Sequence, residues 1–301
     1  QQNSFYQKEK NSFILGKDGG ENVSELELFL KKRDFLVCVD SDGCAMDTMD
    51  CKHIHCFGPC MVEEWKLEQW QEPILKYWNQ VNLYTMTRGI NRFLALAKVL
   101  QRVHEDYIEI PGISKFSQWA SNAPELSNVA VKAMYEKTKE KIFKKALFWS
   151  EAVNLAITDL SDELKKPFEG VKQGLQKAHT YADVAIVSSA NREAVIEEWE
   201  KFSLMDFVDI CLTQTEGSKA YCIQEMLKKG YDQNHVLMVG DAPGDQKAAE
   251  KNRVLYYPIL VKREQYSWQR FVEEALPRFL EETYRGTYQE KVIEEFLENL
   301  S

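Results

Sequence analysis

Asp40 and Asp42 stand one residue apart at the end of an apolar run, Phe35 to Val39, and are followed by Gly43, Asp47 and Thr48. Such a run bounded by a turn signal reads as a buried strand. The two carboxylates then lie at a strand's C-terminal end, the edge where open α/β sheets bind ligands. Like charges this close repel unless a cation sits between them, and an all-oxygen ligand set suits magnesium. Three later stretches carry complementary groups. Ser188 and Ser189 follow the run Val184 to Val187, Lys219 opens a helical stretch, and Asp241 and Asp245 follow Val236 to Val239 in Gly-Asp-Ala-Pro-Gly-Asp. Phosphoryl transfer uses such a set. One carboxylate attacks phosphorus and a divalent cation offsets the charge repulsion. An ammonium and a hydroxyl cover the remaining oxygens, and a second carboxylic acid serves the leaving oxygen and then water.

The elements that position these groups are legible from periodicity. From Pro167 onward strands and helices alternate. Helices are expected over about 168–178, 191–202, 218–229 and from Pro243 to near Asn252, with strands over 184–187, 207–212, 236–239 and 254–261. Short alternating β and α elements imply a parallel sheet with right-handed crossovers. Between Thr48 and Pro167 the pattern is helical instead. Trp70, Ile74 and Trp78 recur every four residues, Ile90, Phe93, Ala97 and Leu100 keep the same rhythm, and 125–157 reads as one long helix or two shorter ones. The expected fold class is therefore α/β, a three-layer Rossmann-like parallel sheet with an inserted all-helical domain. The expected division is 1–48 plus 166–301 for the core and 49–165 for the helical insert. The last forty residues add amphipathic helices that pack on the core or on a second subunit, so a homodimer stays open.

Composition bounds the partners. The chain has 301 residues, 44% of them hydrophobic, and a net charge of −9. That charge argues against nucleic acid or an anionic membrane held by bulk charge, and no apolar run approaches a membrane span. The polar start, QQNSFYQKEK, has no signal-peptide core and no initiating Met, as in a trimmed chain. Seven cysteines without disulfide spacing suit reduced thiols and a cytoplasmic location.

Taken together the motifs resemble the haloacid dehalogenase superfamily. DxDGxxxDT corresponds to Asp40 through Thr48, the apolar run ending in a hydroxyl residue to Ile186-Val187-Ser188, the lysine to Lys219, and GDxxxD to Gly240 through Asp245. The resemblance implies Asp40 as nucleophile, Asp42 as general acid/base and Mg²⁺ as cofactor. Asp40, Asp241 and the Asp42 backbone carbonyl would hold the ion, with Asp245 either a ligand through water or a partner to Lys219. Gly43, Ser188, Ser189 and Lys219 would bind the phosphoryl group. It also implies that the helical insert is a cap over the cleft. A carboxylate at Asp42 favours a phosphatase acting on a small phosphorylated metabolite. A phosphomutase using the same aspartyl-phosphate, or a non-catalytic phospho-Asp regulatory protein, stays open as an alternative.

Lesser signals divide between function and plain structure. Arg88 and Arg92, expected one helical turn apart, could meet an anionic part of the substrate or face solvent. Asn191 could touch substrate or cap a helix. Cys51, His53, His55, Cys56 and Cys60 cluster within ten residues, but their spacing fits no common zinc finger. A hinge segment with incidental thiols and imidazoles explains them equally well, and either histidine could also meet substrate.

Overall fold

The computed structural model describes residues 24–301. The expected turn at Asp18-Gly19-Gly20 lies outside them. Five strands form one parallel sheet: β1 (Phe35–Val39), β2 (Ala182–Val187), β3 (Ile210–Leu212), β4 (Val236–Gly240) and β5 (Leu255–Pro258), in the order β3-β2-β1-β4-β5. Chain order thus runs outward from β1 to β2 and β3 and then restarts on its other side with β4. That reversal beside β1 is where such sheets bind ligands. Both faces of the sheet are covered. Val37 and Val39 join one apolar cluster and Leu36 and Cys38 the other, which is why β1 is apolar at every position.

The strands are shorter than the sequence suggests at the far edge. β3 holds only three residues, because Met205–Phe207 winds into a 3₁₀ turn. The stretch 125–157 resolves into two helices, Asn128–Thr138 and Lys141–Thr158, separated at Lys139 with φ +57°. A third cluster lies wholly within the helical insert, centred on Trp78, Trp149, Phe93, Phe116 and Phe143. Its rings meet largely edge to face, as at Trp78–Trp149 with centroids 5.9 Å apart. The tryptophans there are packing residues.

The insert leaves and rejoins the core along one paired seam. Asp47 N donates to Lys166 O at 2.7 Å and Phe168 N to Ala45 O at 3.0 Å. The C-terminal helices pack on the core. Trp268, Phe271, Phe279 and Tyr284 are fully buried against the sheet.

At the sheet's N-terminal edge one carboxylate is well satisfied. Asp209 accepts Lys32 Nζ at 2.8 Å and Val184 N at 2.9 Å. Burial raises its pKa, but those donors outweigh burial and hold it below the usual carboxylate range. A depressed carboxylate contributes stability above its unfolded pKa of about 3.9 and loses it as pH falls through the folded value. Asp209→Asn should therefore lower the urea midpoint at pH 7 and lower it less at pH 3. Paired denaturation curves check this, and an equal loss at both pH values would show that the charge contributes nothing.

Candidate active site

Register brings the chemical groups together. Val39 lies opposite Ile186 in β2 and Val239 in β4. Asp40 is thus level with Val187 and Gly240, and the next residues upward are Ser188 and Asp241. Asp40 N donates to Val239 O at 3.0 Å, carrying the ladder to its last rung. Lys219, first residue of the helix Lys219–Leu227, reaches Asp40 Oδ2 at 2.7 Å and Asp245 Oδ1 at 2.6 Å. Asp245 folds back so that its Oδ2 accepts Ala242 N at 3.0 Å. A Cβ at Gly240 would come within 2.3–2.5 Å of the Asp245 side chain, so only glycine admits this fold-back.

Asp40, Asp241 and Asp245 each offer an oxygen within 4.8 Å of the others, and all three are buried. Among the described residues, this is the group whose spacing suits a metal ion. Burial pushes Asp40 up to about 7 against the pull of Lys219, and Asp241 up to about 6 against the pull of Arg88. Asp241 Oδ1 is buried with no hydrogen-bond partner among the described residues. A bare, buried carboxylate oxygen is costly and a hard cation satisfies it, so the residues fit a divalent ion.

Several expected contacts change. Gly43 N–H donates to Met46 O at 2.8 Å. Gly43 serves by shape: it has φ +82°, and a Cβ there would sit 2.4 Å from an Arg88 nitrogen and 2.5 Å from Asp241 Oδ2. Ser188 is buried and its Oγ accepts Ala190 N at 3.2 Å, while Ser189 is exposed beside it. Asn191 is the N-cap of the helix Arg192–Lys201, accepting from Ala194 N. That is the capping alternative.

Arg88 and Arg92 do not share a helix face. Arg88 lies in the turn before the helix Arg92–Asp106, whose N-cap is Asn91. Arg92 turns into the helical insert, to Asn154 Oδ1 at 2.8 Å and Ser150 Oγ at 3.0 Å, over the Phe57 ring. Arg88 instead crosses to the core. Its Nε donates to Asp241 Oδ2 at 2.7 Å, both side chains being only 1% exposed, and an Nη donates to Leu83 O. The pair joins the insert to the sheet edge. Breaking a buried pair by removing one partner costs about 3–5 kcal/mol. Arg88→Gln should therefore destabilise the protein in EDTA, and Mg²⁺ should restore more stability to the variant than it adds to wild type. Urea melts with and without Mg²⁺ measure both; equal melts in EDTA would refute it.

The Cys/His cluster does not assemble. His53 lies in a π-helical turn, His53–Phe57, stacked on Phe57, and its Nδ1 accepts Trp78 Nε1 at 3.2 Å. Burial pushes it down to about 3, so it is neutral. His55 is exposed, and Cys51 Sγ bonds the carbonyl oxygens of Thr48 and Leu164.

Two residues with no signal in the sequence join the site. Lys52 Nζ lies 2.8 Å from Asp42 Oδ1 and 3.1 Å from Glu198 Oε1. Lys52 stands ten positions after Asp42 in a stretch without repeat or motif, and Glu198 is one of many acidic residues on its helix.

The profile of haloacid dehalogenase-like hydrolases matches residues 90–257, more than half of the chain. The chain belongs to that family. Three of the four motifs fall inside the match, and the first, Asp40 to Thr48, is brought to them by β1. No curated protein sequence matches the chain. Among solved structures, a candidate phosphoglycolate phosphatase from Lactobacillus delbrueckii subsp. bulgaricus shares 12% identity over 80% of this chain and 92% of that one, with a TM-score of 0.52. A haloacid dehalogenase-like hydrolase from Streptococcus pneumoniae shares 11% over 78% and 90%, with a TM-score of 0.48. A hydrolase from Pseudomonas syringae shares 15% over 79% and 90%, with a TM-score of 0.47. The first of these likenesses agrees with the fold described above. This member of the family is a hydrolase with a parallel-sheet core and a large helical insertion. No helix among the described residues is long and apolar enough to cross a membrane.

Proposed function

We propose that this hydrolase is a Mg²⁺-dependent phosphatase of a small phosphomonoester, working through an aspartyl-phosphate on Asp40. The observation that carries the reading is the trio Asp40, Asp241 and Asp245, with Lys219 bonded to two of them and Asp241 Oδ1 left bare. Asp40, Asp241, Asp245 and the Asp42 carbonyl would hold the ion. Bound there, it supplies positive charge against the attacking carboxylate and the phosphoryl oxygens.

Asp40 attacks phosphorus and the bond from phosphorus to the ester oxygen breaks. Asp42 gives its proton to that oxygen, which leaves as the alcohol. Water then attacks the same phosphorus and gives a proton back to Asp42. The bond to Asp40 breaks, releasing orthophosphate and restoring both carboxyl groups to their starting forms. Lys219 and Ser188, with the backbone beside Ser189, hold the phosphoryl oxygens. Residues 49–165 act as the cap that excludes water and reads the leaving group. The test is phosphate release from a broad panel of phosphorylated metabolites, with Mg²⁺ and with EDTA. Metal-dependent release supports the reading, and release that is indifferent to EDTA would overturn the metal's part in it.

A further inference from the structure

We infer that Lys52, oriented by Glu198, is a positioning residue that fixes the orientation of the Asp42 carboxyl by locking Oδ1 and leaving Oδ2 open. The inference rests on the phosphatase reading and deepens it. Asp42 Oδ1 accepts two donors, Thr48 Oγ1 at 2.5 Å and Lys52 Nζ at 2.8 Å. Among the described residues no donor reaches Oδ2, and the Asp42 side chain is 28% exposed where Lys52 and Glu198 are each 8%. One oxygen is therefore saturated and the other is open.

The lysine is held as firmly as the aspartate. Its ammonium is shared with Glu198 Oε1, and Glu198 Oε2 is buried without a partner among the described residues. Leaving a buried oxygen bare is unfavourable, and a salt bridge that only stabilised the fold would gain by satisfying it. The neighbouring residue adds to the case. Trp199, next to Glu198 on the helix Arg192–Lys201, donates Nε1 to Ser41 Oγ at 2.9 Å. One helix thus grips residue 41 directly and residue 42 through Lys52. Lys52 itself ends the short helix Met49–Lys52, the first element of the insert. The orientation of the proton carrier is in this way tied to the segment on which the insert joins the core.

The test separates positioning from plain stability through the leaving group. General acid help matters for a poor leaving group and little for p-nitrophenolate. With full-length protein and Mg²⁺, Lys52→Met should lower kcat/KM for benzyl phosphate about 100-fold and for p-nitrophenyl phosphate less than about 10-fold. Because the same oxygen must later take a proton from water, acid quenching during turnover should trap more aspartyl-phosphate in the variant than in wild type. Glu198→Gln should shift both readouts the same way by a smaller amount. Asp42→Asn should mimic Lys52→Met, and the two changes together should cost little more than Asp42→Asn alone. Should Lys52→Met fail to fold, Lys52→Met/Glu198→Gln removes both charges at once and carries the same readouts. An equal slowing of the two esters without trapped phosphoenzyme would overturn the inference, as would unchanged kinetics. If wild type forms no phosphoenzyme from either ester or from any member of the metabolite panel, the phosphatase reading fails and this inference with it. If wild type turns over and only the leaving-group difference is missing, the phosphatase reading stands and Lys52 is structural.

Discussion

Asp40→Asn is expected to lower phosphate release on the order of 10⁴-fold or more, the scale seen when a nucleophile is removed, and to leave the fold intact. An amide keeps the shape of the side chain and one oxygen for Lys219, which also keeps Asp245 at 2.6 Å. What it loses is the anion that attacks phosphorus. Three buried carboxylates become two, and burial, together with the neighbouring Asp245 carboxylate, pushes the Asp40 carboxyl up to about 7 against the pull of Lys219. The variant should therefore be at least as stable as wild type in EDTA, while Mg²⁺ should stabilise it less, since one ligand is gone. Phosphate release, acid-quenched phosphoenzyme and melts with and without Mg²⁺ check the three parts. Turnover that survives would place the nucleophile elsewhere. A wild-type protein that forms the aspartyl-phosphate yet releases almost no phosphate would point to a mutase.

Trp268→Ala should be the most damaging change outside the reacting groups. The indole is fully buried and belongs to the cluster under the sheet. Gly174 makes room for it: a Cβ there would come within 2.7 Å of the Trp268 ring. Its Nε1 donates to Cys44 O at 2.9 Å, supporting the loop that carries Asp40, Asp42 and Gly43. A large-to-small change in such a core costs about 3–5 kcal/mol, and the orphaned Cys44 carbonyl adds about 1–3 kcal/mol. Urea denaturation should show that loss. Trp268→Phe should recover part of the packing but not the hydrogen bond, so its activity should fall further than its stability. A mild effect of Trp268→Ala would mean that the C-terminal helices are an accessory to the core.

How much of this was legible beforehand divides by the range of the interaction. β1, β2 and β4 were readable because a strand buried on both faces must be apolar at every position, and Phe35–Val39, Ala182–Val187 and Val236–Gly240 nearly are. The groups at their ends followed, since a parallel sheet aligns its strand ends at one edge. β3 was harder to place because three residues make no periodicity. The C-terminal helices showed an apolar stripe, but a stripe does not say which surface it meets.

The amino-acid sequence by itself determined the sheet, the helical insert and the carboxylates, lysine and hydroxyl that gather at one edge. Tertiary structure alone decided that Arg88 answers Asp241 from 153 positions away and that Trp268 braces Cys44 from 224. It alone joined Lys52 and Glu198 on Asp42. It also paired the Gly43 N–H with Met46 and set Gly43 close against Arg88 and Asp241. The reason is physical. Periodicity records which face of an element is buried, because that choice is made residue by residue along the chain. A single buried ion pair between distant elements leaves no such trace, because charged residues are common on helix surfaces and only packing determines which of them are turned inward and toward whom.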